Sequence, residues 1–285
     1  MSFPSQPIFR FAPSPNGRLH LGHAYSALYT EHWAKAVGGV ALLRIEDIDR
    51  VRCRPEFVAA VFEDLDWLGL SYPEPVRVQS QHFDDYRAAA DQLRSKGLIY
   101  PCFCSRAEIR AASGGRTDPD GAPLYPGTCR HLSTDERMAG LRSGRPVQWR
   151  LDMGQAIDVA NEISIREAMP TPADPCVSRS ADPARWGDVV IVRKDTPTSY
   201  HLSVVVDDAI QGITHVTRGM DLYAATDIHV LLQALLGLPS PIYTHHPLIL
   251  DEEAAKLSKS RGSESLASLR ALGITPQDIR AQLGF

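Results

Sequence analysis

The first 45 residues leave room for few folds. Ile8-Phe-Arg-Phe-Ala12 reads as a short strand, stopped by Pro13 and Pro15 and redirected by the turn dipeptide Asn16-Gly17. A helix-length stretch from Gly22 to Val37 ends at Gly38-Gly39, and Val40 to Ile45 follows as a run with the length of a buried strand. Two strands joined by a helical crossover pair in parallel, and a parallel sheet has to be covered by further elements. Pro55 opens such an element, a helix whose apolar positions Phe57, Val58, Val61, Phe62, Leu65 and Leu68 keep a 3.6-residue period up to Gly69. A further helix spans about Asp84 to Lys96 and stops at Gly97. Later in the chain Asp188 to Arg193, Leu202 to Val206 and Ile213 to Thr217 read as β-branched strands. Asp221 is placed to cap a helix that runs to Leu236 before Gly237, and Ile242 to Leu250 reads as one more strand. The fold class is therefore α/β: a Rossmann-type, doubly wound parallel sheet, with its ligand site beyond the carboxyl ends of the strands.

Between Tyr100 and Asp182 the texture changes to Pro, Gly, Ser and Arg with few periodic stretches, as expected of an inserted subdomain. The expected division is residues 1–99 for the first half of the Rossmann-type domain, 100–182 for the insert, 183–250 for the second half, and 251–285 for a loop and short helical tail. The five cysteines are unevenly spaced, and three of them, Cys102, Cys104 and Cys129, fall within 28 residues of the insert. In a reducing compartment that clustering suggests a tetrahedral zinc site before a disulfide, with Tyr125, His131 or water in the fourth position. Cys53 and Cys176 fit no such spacing.

A net charge of −4 rules out a uniformly basic nucleic-acid binder. RNA contact would need a local patch, for which Arg142, Arg145, Arg150, Lys256, Arg261 and Arg270 are candidates, although a solvated face is the better reading of each. The amino terminus has no basic segment leading into an apolar run, and no eighteen consecutive residues are apolar. The expectation is a cytoplasmic monomer without membrane contact.

Arg10-Phe-Ala-Pro-Ser-Pro-Asn-Gly-Arg-Leu-His-Leu-Gly-His23 carries a strand through a stiff turn into the first turn of a helix. Helix-start N–H groups favour anions there, Gly22 admits a ligand close to the backbone, and His20 and His23 add side-chain donors. Far downstream, Lys256-Leu-Ser-Lys-Ser260 offers two ammonium groups on a short loop. Arg10 beside Ser14, Glu46, Tyr200 and Arg218 all fall at predicted strand ends. Two guanidinium forks and one carboxylate are the charges that a dicarboxylic amino acid needs.

Taken together, His20-Leu-Gly-His23 and Lys256-Leu-Ser-Lys-Ser260 resemble the HIGH and KMSKS signatures of the class I aminoacyl-tRNA synthetases, with Leu257 in the methionine place. Arg-Phe-Ala-Pro-Ser-Pro-Asn-Gly, Arg44-Ile-Glu-Asp-Ile-Asp49 and Arg218-Gly-Met-Asp221 resemble the glutamyl branch. The resemblance implies adenylation of L-glutamate by ATP with Mg²⁺. His20, His23 and Lys259 would be catalytic, His20, Gly22, His23, Lys256 and Lys259 would contact ATP, and Arg10, Ser14, Glu46, Tyr200 and Arg218 would contact glutamate. It also implies one Zn²⁺ per chain held by Cys102, Cys104, Tyr125 and Cys129, although the loop from Ser105 to Leu124 is longer than the family pattern. Only 25 residues follow Ser260. The resemblance is therefore to the truncated glutamyl-queuosine branch, which lacks an anticodon-binding domain and modifies tRNA(Asp) carrying queuosine. Its rivals are a short synthetase charging the 3′ end of tRNA(Glu) and a non-catalytic paralogue that binds tRNA or glutamate.

Overall fold

The structure is a computed structural model that describes residues 6–249 and 264–285. In chain order its elements are β1 (Ile8–Phe11), α1 (Leu21–Ala36), β2 (Val40–Ile45), α2 (Pro55–Trp67), β3 (Arg77–Val78), α3 (Phe83–Ser95), β4 (Ile99–Cys102), α4 (Arg106–Ala112), α5 (Thr134–Arg142), β5 (Gln148–Leu151), α6 (Met153–Ala160), β6 (Ser164–Ala168), β7 (Cys176–Ser180), β8 (Val190–Val192), α7 (Tyr200–Ile210), β9 (His215–Gly219), α8 (Thr226–Leu236), β10 (Ile242–His246), α9 (Leu266–Ala271) and α10 (Pro276–Leu283).

Strands β1, β2 and β3 pair in parallel, and β6, β10 and β9 form a second parallel set with β7 antiparallel at its edge. The two sets meet at β1 and β9. The Thr214 N–H donates to the Ile8 carbonyl at 2.9 Å, and the Thr214 hydroxyl accepts from the Ile8 N–H at 2.8 Å. From this junction the strands step outward through β2 on one side and β10 on the other. The carboxyl ends of β1 and β9 therefore diverge into the crevice where an open α/β sheet binds its ligand. A separate antiparallel sheet, β4-β5-β8, carries part of the insert.

One core packs α1 and α2 on the first parallel set through Phe11, Leu28, Leu43, Val61 and Leu65. Leu266 of α9 and Ile279 of α10 seal it. A larger core joins α3, α7 and α8 through Leu93, Leu202, Val205, Ile228 and Leu231 to Leu151 of β5. No described helix is long and apolar enough to cross a membrane.

Three local expectations need correction. Leu202 to Val206 is helical, not a strand: Ser199 caps α7 by accepting from the Leu202 N–H, and every residue from Leu202 to Asp208 is buried. A helix enclosed on all sides has no polar face, so its sequence reads like a buried strand. Asp221 sits in a single 3₁₀ turn, Met220–Leu222, and α8 starts later, at Thr226, with no side-chain cap; Gly237, at φ 67°, does end it. The stretch expected to be loop-rich holds α4, α5 and α6. Two of these begin with reciprocal capping boxes, Ser105 with Glu108 and Ser133 with Glu136. Its β6 lies beside β10, with Glu167 opposite Tyr243. Elements of four to nine residues are too short to establish a period in the sequence.

Candidate active site and cysteine cluster

A cleft of about 590 Å³ opens at the carboxyl ends of β1 and β9, within the range of small-ligand sites. Arg10, Ser14, His20, Gly22, His23, Glu46, Tyr200 and Arg218 all line it, so the structure brings together every described residue expected at the nucleotide and amino-acid sites. Lys256 and Lys259 lie outside the described residues; His246, Pro247, Leu248 and Ile249, just before them, form part of the cleft wall.

His20 is the N-cap of α1. Its Nδ1 accepts from the Gly22 N–H at 3.1 Å, and His23 Nδ1 accepts in turn from the His20 N–H at 3.2 Å. With both Nδ1 atoms accepting, each neutral ring carries its proton on Nε2. The helix start, a site of partial positive charge, thus also fixes two imidazole donors. A Cβ on Gly22 would stand 3.0 Å from the His20 ring, so glycine lets the ring fold back over the helix. Behind this turn the Leu266 N–H donates to the Leu19 carbonyl at 2.8 Å, and His20 forms an isolated antiparallel bridge with Ser265, which docks α9 on the histidine segment.

Buried charges make the rest of the floor. Arg10, 4% exposed, donates through Nε to Asp208 at 3.1 Å and through Nη1 to the Thr217 carbonyl at 3.1 Å. Arg44, fully buried, pairs with the same Asp208 at 2.8 Å and with Glu46 at 3.4 Å. The chain Arg10, Asp208, Arg44, Glu46 therefore alternates in sign. Burial raises the Asp208 carboxyl, but Arg10 and Arg44 outweigh it and hold the group below the ordinary aspartate value. For Glu46 the balance reverses: burial lifts its carboxyl above the usual range despite Arg44 and Arg10. Tyr200, the first residue of α7, has its phenol raised by burial.

Arg218 is held differently. Nε donates to His245 Nε2 at 3.2 Å, Nη1 to His229 Nδ1 at 2.9 Å, and Nη2 to Thr226 Oγ1 at 2.6 Å. Burial and the adjacent guanidinium lower both histidines, His245 to about 2, so both rings are neutral acceptors. Among the described residues no carboxylate forms an ion pair with Arg218.

Sequence reasoning missed Asp208, Arg44, Thr226, His229 and His245. Arg44 and the Asp207-Asp208 pair each sit in an otherwise apolar run, and a charge there signals a buried partner; the histidines gave no local signal.

Cys102, Cys104 and Cys129 place their sulfurs within 4.8 Å of one another, with Cys104 and Cys129 3.5 Å apart. A zinc ion about 2.3 Å from each sulfur needs tetrahedral edges of about 3.8 Å, so the cluster fits with little movement. Tyr125 Oη lies 4.0 Å from Cys104 Sγ and accepts from the Cys129 N–H at 2.7 Å. His131 is exposed and outside the cluster, so of the two side chains considered for the fourth position Tyr125 is the one beside the sulfurs. Burial raises Cys102, yet hydrogen bonds from Tyr125 and Gln148 bring it down to about 7. Burial and the neighbouring sulfurs push Cys104 up to about 12. Such thiols ionise together only around a cation. Arg150, considered above for RNA, is instead buried, donating to the Asp188 carbonyl at 2.6 Å with its guanidinium 4.0 Å from the Tyr125 ring. Arg270 is held by Glu63 at 2.6 Å; Arg261, like Lys256, lies outside the described residues.

A family model described as tRNA synthetases class I (E and Q), catalytic domain, matches residues 8–284. The chain is 45% identical over 283 residues to a Rhodobacter capsulatus protein named glutamyl-Q tRNA(Asp) synthetase, covering 97% of this chain and 99% of that one. It is 38% identical to the glutamate–tRNA ligase of Aquifex aeolicus, of which it spans 54%. The crystal structure of a glutamate tRNA ligase from Elizabethkingia meningosepticum in complex with its amino acid matches with a TM-score of 0.72 at 30% identity, covering 90% of this chain and 53% of that one.

Proposed function

The chain belongs to the class I tRNA synthetases of the glutamate and glutamine type, and on that footing we propose that it activates L-glutamate with ATP and transfers the glutamyl group to the queuosine base in the anticodon of tRNA(Asp). The observation that carries this reading is the kinship at 45% identity along nearly the whole of both chains with a protein of that name. In the first step the α-carboxylate attacks the α-phosphorus of ATP and pyrophosphate leaves. In the second a hydroxyl of the queuosine base attacks the acyl carbon, gives up its proton and displaces AMP. A base in an unpaired loop can be reached in this way, whereas one inside an A-form helix cannot.

Neither step needs a protein nucleophile, so the residues act by position and charge. Glu46 takes the ammonium of glutamate. Arg218, which among the described residues has no carboxylate partner, takes the side-chain carboxylate. Arg10, already neutralised by Asp208, adds donors without net charge beside Ser14 and Tyr200. His20, His23 and the start of α1 face the phosphates, with Lys256 and Lys259 supplying further positive charge and Mg²⁺ entering with ATP.

Glu46 gives this reading a pH signature. Its raised pKa means that it protonates at a higher pH than an ordinary glutamate, whose value is 4.5, and the protonated form cannot pair with the ammonium. The expected result is a KM for glutamate that climbs as pH falls through a midpoint above 4.5, with Glu46→Gln showing a high KM throughout and no such midpoint. Initial rates of pyrophosphate exchange between pH 4.5 and 8 measure it.

Cys102, Cys104, Cys129 and Tyr125 would hold a zinc ion whose chemistry is structural: it fixes the start of α4 and the 125–129 turn against β4 and β5. Metal analysis of protein purified without added metal is expected to find one zinc per chain. Cys129→Ser is expected to lose it and to melt at a lower temperature, by an amount worth several kcal/mol. A metal-free protein of unchanged stability would defeat the assignment.

The reading as a whole is tested by ATP–pyrophosphate exchange run across the amino acids. Exchange is expected with glutamate alone, in the absence of any tRNA.

A further inference from the structure

Arg218 is 4% exposed, and its three hydrogen bonds run to two imidazoles and a hydroxyl. Among the described residues nothing takes the other two of its five N–H donors. His229 and His245 are each 1% exposed and Thr226 is fully buried. The cradle is thus closed to water and uncharged, and it extends inward: with Nδ1 accepting from Arg218, His229 carries its proton on Nε2, 3.3 Å from His201 Nδ1. Burial lowers His201 to about 4, so the relay is neutral to its end. The other charged groups of the floor are already matched, Asp208 to Arg10 and Arg44, and Glu46 to Arg44.

Among the described residues Arg218 meets only neutral acceptors, and a buried guanidinium in that setting demands an anion. Proteins ordinarily cancel such a charge with an aspartate or glutamate, and here two imidazoles stand where a carboxylate could. We propose that His229 and His245 are specificity-determining positioning residues: by holding Arg218 with acceptors that carry no charge, they keep its positive charge for the substrate and so select a side-chain carboxylate over a carboxamide. Arg218 alone does not discriminate. Paired with a protein carboxylate, the same guanidinium becomes a neutral unit whose donors a carboxamide oxygen accepts as readily as a carboxylate. The inference rests on the assignment of glutamate to this cleft.

The geometry supplies matched variants. An aspartate oxygen at position 229 stands where imidazole Nδ1 stands, and a glutamate oxygen at position 245 where Nε2 stands; Asn and Gln give the same shapes without charge. The experiment measures kcat/KM for glutamate and for glutamine in pyrophosphate exchange, for wild type, His229→Asp, His229→Asn, His245→Glu and His245→Gln, with circular dichroism to select folded variants. The acidic variants are expected to shift the glutamate-to-glutamine ratio toward glutamine by about a hundredfold or more, and the neutral ones to hold it within about fivefold of wild type. Equal losses for both amino acids in the folded acidic variants, with the ratio unchanged, would overturn the inference, since a merely structural role moves both together. Equal shifts in the acidic and neutral variants would overturn it too. Wild type that exchanges pyrophosphate with some other amino acid, and not with glutamate, would instead remove the underlying assignment.

Discussion

Arg218→Gln lowers kcat/KM for glutamate in pyrophosphate exchange by about a thousandfold, and Arg218→Lys does not restore it. The magnitude follows from what is left behind: removing one member of a buried charge pair costs about 3–5 kcal/mol, because the partner, here the substrate's carboxylate, enters a closed site with no counter-charge. Lysine keeps the charge but not the shape. Its ammonium is one point on a flexible stem, whereas the guanidinium reaches His245, His229 and Thr226 at once and still presents two donors to the cleft. The loss should appear at saturating ATP and leave the fold intact by circular dichroism. Loss confined to the KM for ATP would contradict the assignment of Arg218.

Asp208→Ala is expected to damage stability more than any other single substitution at the cleft. Arg10 and Arg44 are 4% and 0% exposed, and both lean on this carboxylate, so its removal leaves two buried guanidinium groups to repel each other. A destabilisation of about 3–5 kcal/mol follows from breaking a buried pair in this way. The pH dependence has a definite sign. The folded-state pKa of Asp208 lies below the ordinary 3.8, so its contribution is fully present above that ordinary value and is lost only as pH falls through the lower folded value. Denaturant melts of wild type and variant should therefore differ by a constant amount from neutral pH down to about pH 5 and converge below pH 4. Asp208→Asn, which keeps the shape and one acceptor, should fall between them.

Asp208 also marks where the sequence stops being legible. The βαβ start, the helices closed by Gly38, Gly69 and Gly97, and the tail helices were readable because each carries a local cause: a period, a cap or a positive-φ glycine. The glutamate-type residues were readable because they flank strand ends, and Arg10, Glu46 and Arg218 do meet in one cleft. The misreading of α7 removed Asp208 from view. As a buried helix, α7 carries the two aspartates that follow Val206 into the interior, Asp207 to Gln79 and Tyr86, and Asp208 to Arg10 and Arg44. The histidine cradle was illegible for another reason. His229 and His245 stand on α8 and β10, and nothing within a few residues of either marks the guanidinium they serve. Arg150 shows the converse: a basic residue in a loop-rich stretch resembles an RNA contact until the fold buries it against Tyr125.

The assignment of the acceptor is tested most directly by incubating the protein with ATP and labelled glutamate, in parallel, on tRNA(Asp) bearing queuosine, tRNA(Asp) lacking it, and tRNA(Glu), then locating the label by nuclease digestion. The account predicts label on the queuosine-bearing anticodon fragment of tRNA(Asp) and on neither of the other RNAs. Label on the terminal ribose of tRNA(Glu), or equal labelling of tRNA(Asp) without queuosine, would contradict it.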